Sequence, residues 1–231
     1  MLKGKIIVST FSYLFFINIL SAVAGGDNFT TPTQNVTVSD LFPLEKGFRW
    51  RYIHDTREGT SHYSNEYLGV VTKWGEPYKL LGNPFGVSYF EITPDTIYLR
   101  AVAPSENIEN AQFYKGGEIV RLKIPLVSGN RWSGKTWVEK EGQPIISAYD
   151  TEIVGWSKVE VPAGTFDCLV TSTTLNTIFF RNKGRVGVGS FAQDMIWYSP
   201  GIGIVRRLKY LLYPKQPQEL LSDDRLEEFI H

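Results

Sequence analysis

The sequence has one cysteine, Cys168, in 231 residues, so an internal disulfide is excluded and the fold must be held by packing and hydrogen bonds. Histidine is almost as scarce, with His54, His62 and His231 alone. Without a cysteine pair or a second histidine pair, the three or four suitably spaced ligands of a zinc site are missing. Long apolar runs are absent beyond the N-terminus, so no later segment is long enough to cross a bilayer as a helix. Charge of one sign is not in excess either, since 24 basic residues balance 24 acidic ones. Nucleic acids and anionic membrane surfaces are bound through basic faces, and these totals provide none.

What is present starts with a leader. Met1 to Lys5 carries two lysines and no acid, Ile6 to Leu20 is mostly apolar, and "SAVAGG" follows with Ala22 and Ala24. This is the three-part pattern of a secretory signal peptide, with cleavage expected after Ala24. The apolar run falls short of the roughly 20 residues that span a bilayer and contains Ser9, Thr10, Ser12 and Asn18, which favours a cleaved leader over a retained anchor. Residues 1–24 are thus read as a signal peptide and 25–40 as a flexible lead-in with two N-x-T sequons at Asn28 and Asn35. The expected location is exported, either periplasmic or at the cell surface. Without the leader 207 residues remain, with 22 basic and 24 acidic. That is ample for one core without covalent staples.

Residues 41–213 read as a series of short runs rich in Val, Ile, Tyr, Trp, Phe and Thr, broken about every ten residues by Gly or Pro. Alternation is clear in "KTWVEKE", where Trp137 and Glu139 face one way and Val138 and Lys140 the other. Strands with one wet and one dry face belong to antiparallel sheets, so the fold class is mainly β. No long segment before Pro214 has helical periodicity, which argues against a parallel βαβ architecture. Residues 214–231 change character: Pro217 suits the first turn of a helix carrying Leu220, Leu221, Leu226 and Phe229, so a short C-terminal helix or docked tail is expected.

"FPLEKGFRW" (Phe42 to Trp50) and "IPLVSGNRW" (Ile124 to Trp132) share the pattern apolar-Pro-Leu-x-x-Gly-x-Arg-Trp, 82 residues apart. Pro ends a strand, Gly turns the chain, and Trp begins a new strand pointing inward. An internal duplication and two independent strand starts of the same kind both explain it. Together with the "VPAGTFDCL" hairpin and the late "WYSPGIGIV", these segments resemble a family of exported bacterial β-rich proteins of unknown function. The resemblance spans roughly residues 41 to 210. It implies a single curved antiparallel sheet or open half-barrel akin to that of periplasmic lipoprotein carriers, and it transfers no catalytic residues.

A search for chemistry finds little. His54 and His62, eight apart on one hairpin, are read as solvated loop histidines. No serine sits in a G-x-S-x-G turn. In "VPAGTFDCLV" Pro162 presets the turn and Gly164 closes it, placing Cys168 on an apolar strand face as a small buried side chain rather than a thiolate. The Gly-rich "RNKGRVGVGS" offers Arg181, Lys183 and Arg185 as candidate anion ligands, although the strand that follows it does not match a phosphate loop. Glu139 and Glu141 alternate onto one face, as a glycosidase pair would. Aromatics are the one surplus, with six Trp, twelve Tyr and fourteen Phe. Trp50, Trp132 and Trp197 are the candidate ligand-binding residues, as a platform or cavity lining on the concave face. The reading is of a non-enzymatic β protein with no cofactor and no metal, binding a hydrophobic or amphipathic ligand or a partner protein. Lipid, a lipoprotein or an envelope protein are the expected partners. A carbohydrate-binding or carbohydrate-active protein and a structural subunit of an envelope assembly are the alternatives.

Overall fold

The computed structural model describes residues 36–105, 107–140, 143–181, 185–186, 189–213 and 216–231. The leader and residues 25–35 of the lead-in lie outside them. The first half comprises the short helix α1 (Val38–Leu41) and strands β1 (Arg49–Thr56), β2 (Gly59–Lys73), β3 (Glu76–Asn83), β4 (Gly86–Ile92), β5 (Thr96–Ala103), β6 (Gln112–Phe113) and β7 (Ile119–Lys123). The second comprises β8 (Arg131–Lys140), β9 (Gln143–Val161), β10 (Gly164–Arg181), β11 (Arg185–Val186), β12 (Ser190–Ser199), β13 (Gly203–Leu211) and β14 (Glu219–Ile230).

All the pairings are antiparallel and form one sheet in the order β6-β5-β4-β3-β2-β1-β14-β13-β12-β10-β9-β8, with β7 on β5 and β11 on β10. Chain neighbours pair through most of each half, and the first strand then pairs with the last. The fold is therefore mainly β, a large antiparallel sheet nearly closed into a barrel. Its remaining edges, β8 on one side and β6 and β7 on the other, meet without a regular ladder. One bridge joins them, with Lys115 N donating to Trp137 O at 2.8 Å and Trp137 N to Lys115 O at 2.9 Å. Side chains do the rest. Tyr149 Oη donates to Glu118 O and accepts from Val120 N, Trp132 Nε1 donates to Val120 O at 3.0 Å, and Thr136 Oγ1 donates to Lys115 O. A Cβ on Gly117 would stand 2.1 Å from Lys135 O, so only glycine lets the two backbones come this close.

The two Pro-Leu-x-x-Gly-x-Arg-Trp segments share their geometry from the turn to the tryptophan. Gly47 and Gly129 both take positive φ, +95° and +83°. Phe48 N donates to Glu45 O and Asn130 N to Val127 O, closing the same turn twice. Arg49 pairs with Glu66 opposite it on β2, and Arg131 with Glu152 opposite it on β9. Trp50 and Trp132 are both buried, each with its indole N–H on a backbone carbonyl. The correspondence thus extends beyond sequence to geometry, and it sits at the first strand of each half.

The segment before β1 is also ordered. Thr37 caps α1 through a reciprocal pair, accepting from Asp40 N while Asp40 accepts from Thr37 N at 2.8 Å. Val38 and Leu41 are fully buried against β5, β12 and β13. So the last residues of the expected lead-in, 36–40, plug one end of the barrel. The packed core above the plug includes Trp50, Tyr52, Leu81, Ile97, Ile153, Leu169 and Leu226.

Where a short C-terminal helix or docked tail is expected, the chain forms strand β14. Its alternation is real, with Ser222, Asp224 and Leu226 buried and Asp223, Arg225 and Glu227 half-buried on the other face. Two polar residues at inward positions disguise that period, and the spacing of Leu220, Leu221, Leu226 and Phe229 imitates a helix. Leu226→Ala is expected to destabilise the protein by about 2–5 kcal/mol in chemical denaturation, as for a fully buried leucine. Leu220→Ala, on an exposed side chain of the same strand, should stay within about 0.5 kcal/mol.

Candidate functional site

The end of the barrel opposite α1 is open and polar. Antiparallel pairing brings His54 near the end of β1, Tyr63 and Asn65 on β2, Asn83 and Phe85 at the β3–β4 turn, Arg207 and Lys209 on β13, and Ser222 and Asp224 on β14 around one cavity of about 210 Å³. This is smaller than the roughly 300–1,000 Å³ of pockets that enclose drug-sized ligands, so a small molecule or the polar end of a larger one fits.

Each charged member has a traceable position. Inward residues of β1 are Trp50, Tyr52 and His54, every second one. The β1–β14 register sets His54 opposite Asp224, and His54 Nδ1 lies 2.5 Å from Asp224 Oδ1. The β13–β14 register sets Arg207 opposite Asp224 and Lys209 opposite Ser222. Arg207 Nη2 donates to Asp194 Oδ2 on β12 at 2.5 Å. Desolvation works against the Arg207 charge, but contact with Asp194 and the field of Asp224 outweigh it, so its pKa is raised. Phe85 is 73% exposed. Its ring lies 5.7 Å from Tyr63 and 6.4 Å from His54, forming an apolar lip on the polar mouth.

His54 is therefore an inward strand residue rather than a loop histidine, and His62 points outward to Glu227 at 2.9 Å. The hairpin between them turns at Arg57 and Glu58, with His54 opposite Ser61 and Ile53 opposite His62, so the two imidazoles occupy opposite faces. His231 stacks on Phe229. Sequence reading passed over Asp224, Arg207 and Lys209; charged residues at inward positions of alternating strands are the signal that finds them.

Trp50, Trp132 and Trp197 are all buried, at 4%, 9% and 6% exposure. Trp50 Nε1 bonds Ile202 O at 2.5 Å and its ring stacks on Phe229. Trp132 stitches the barrel seam, and Trp197 lies under the Arg206 guanidinium. The cavity beside Trp50, of about 20 Å³, has room for roughly one water. Among the described residues the exposed large rings are Trp74, Phe85, Phe191 and Tyr213, with Trp74 and Phe85 the most exposed. Arg181 and Arg185 face each other in the β10–β11 backbone register. Their side chains and all of Lys183 lie outside the described residues, as does Glu141. Cys168 is fully buried in the core, where desolvation, with Asp167 adding, pushes its thiol up to about 12. Among the described residues no cluster of three metal-ligating side chains occurs, and no helix is long and apolar enough to cross a membrane.

Tyrosines of the mouth and of the core beside it give the barrel interior a pH signature. Burial raises the Tyr52, Tyr63 and Tyr198 hydroxyls above their ordinary 10.0, and Asp224 adds to the effect on Tyr63 and Tyr52. Above about pH 10 the unfolded chain loses these protons while the folded chain keeps them, so stability falls as pH rises from there. The thermal midpoint should drop above about pH 10, and Tyr63→Phe should reduce the drop. An equal drop in Tyr63→Phe would contradict the assignment.

No family model and no curated protein sequence matches the chain. Among solved structures, a protein described as a lipoprotein, from Parabacteroides distasonis ATCC 8503, aligns with a TM-score of 0.53 at 19% identity, over 85% of this chain and 100% of that one. A protein described as exported, with a YmcC-like fold, from Bacteroides fragilis NCTC 9343 aligns at 0.39 and 13%, over 81% and 97%. YmcC of Escherichia coli K12, described as a hypothetical lipoprotein, aligns at 0.33 and 7%, over 80% and 85%. The chain is thus similar in fold to the Parabacteroides protein, sharing its architecture along that protein's full length.

Proposed function

We propose that the protein is an exported, non-enzymatic binding protein that takes an amphipathic ligand at the open mouth of its barrel. The observation that carries this reading is the contrast between the two ends. One end is closed by α1 and an apolar core, whereas the other holds a 210 Å³ cavity with charged walls and an exposed phenyl ring at its rim. Polar groups inside a barrel cost stability unless partnered, so their concentration at one end favours a role in recognition. The polar part of the ligand enters the cavity and its apolar part lies on Phe85. A ligand buried whole along the barrel axis is disfavoured, because the core around Trp50, Trp132 and Trp197 is packed. Export rests on the N-terminal leader pattern, and the Parabacteroides protein of similar fold is itself described as a lipoprotein.

Native mass spectrometry of the chain purified from its own cell envelope tests this directly. The expected spectrum contains a small bound molecule, lost on denaturation. Its retention should fall by roughly 2- to 10-fold in Phe85→Ala, the range for one aromatic contact worth about 0.5–1.5 kcal/mol. A spectrum of the bare chain alone would overturn the reading.

A further inference from the structure

Charges of both signs line the mouth, but they are not matched one to one. Arg207 is in contact with Asp194, and Asp224 is in contact with His54. The Lys209 side chain also lines the cavity, stands opposite Asp194 in the β12–β13 register, and makes no hydrogen bond or ion pair among the described residues. Asn83 Oδ1 accepts from Phe85 N at 2.8 Å, which turns the donor end of that amide away from the turn. With Nδ1 of His54 committed to Asp224, its second ring nitrogen is left for the cavity. Two acceptors, Asn65 Oδ1 and Asp194 Oδ1, and one donor, Arg207 Nε, also lack partners, but all three are closed off from solvent. The accessible groups left over are therefore mostly donors, and one of them is a full positive charge.

Resting on the binding reading above, we propose that the ligand's polar end is an anion, seated on Lys209 at the cavity wall. Arg207 and Asp224 are engaged with Asp194 and His54, which leaves the Lys209 ammonium as the charged group of the wall without a side-chain partner among the described residues. A carboxylate or phosphate on a short apolar tail has the required form, with the charge on Lys209 and the tail on Phe85.

Calorimetric titration of the mature chain with octanoate, octanamide and acetate separates the possibilities. Octanoate should bind at least about 10-fold more tightly than octanamide, the scale of one desolvated charge contact. Lys209→Gln should remove the preference for octanoate, and Lys209→Arg should restore it. An unchanged thermal midpoint certifies that the variant is folded. Equal affinity for octanoate and octanamide would overturn the anion assignment and leave the binding reading standing. Acetate binding as tightly as octanoate would support the anion seat and overturn the amphipathic reading. No binding of any of the three would overturn both.

Discussion

The pairing of β1 with β14 is the constraint on which the rest of the structure depends. Almost every other pairing joins strands that are neighbours along the chain, and such a meander alone would be an open ribbon with two bare edges. Joining residues 49–56 to 222–230 bends that ribbon around a single core and leaves only the β6/β7 to β8 seam to be closed. The same pairing lets Trp50 and Tyr52 reach past β14 to the carbonyls of Ile202 and Ile204 on the β13 side. On the outer surface Arg51 pairs with Glu227 and Asp55 with Arg225 across these strands. Exposed pairs of this kind are worth only about 0.2–1 kcal/mol each, so the fully buried Leu226 and the ladder itself supply most of the hold.

The pairing also makes the site. His54 and Asp224 are 170 residues apart and meet because the β1–β14 register sets them opposite each other. Adding β13 to the same edge brings Arg207 and Lys209 onto the same inner wall. The barrel is thereby divided along its axis: the α1 end buries Val38, Leu41 and Trp50, and the far end buries charge. A structural role alone would be met by an apolar interior throughout. Replacing buried charged groups by well-packed apolar ones is often neutral or stabilising, so the presence of Asp194, Arg207, Asp224 and His54 inside the barrel supports the proposed binding role over a purely structural one.

The antiparallel β character was legible because alternating side chains reflect one wet and one dry face, and Pro and Gly mark the breaks between strands. The echo between Phe42–Trp50 and Ile124–Trp132 was legible too, and the structure extends it to turn geometry, cross-strand arginine pairs and buried indoles. Strand β14 was illegible for the same reason that the site was. Ser222 and Asp224 point inward, so the apolar period that marks a strand is broken where the mouth is polar. His54 looked like a loop residue because the turn signal "DTREGT" runs up to it, yet the turn itself is only Arg57 and Glu58. The tryptophans were conspicuous in composition, but composition does not reveal that Trp132 closes a seam or that Trp50 stacks under Phe229. Which aromatic stays exposed depends on the curvature of the sheet, and that is a property of long-range register.

Native-state hydrogen exchange along β1 and β14 probes the closure most directly. If this pairing holds the barrel together, amides on both strands exchange only through global unfolding, with the same opening free energy as those of β12 and β13. Exchange of β14 through a low-energy local opening, while β12 and β13 stay protected, would show that the C-terminal strand is an accessory. The mouth would then lose both the register and the carboxylate on which this account of it depends.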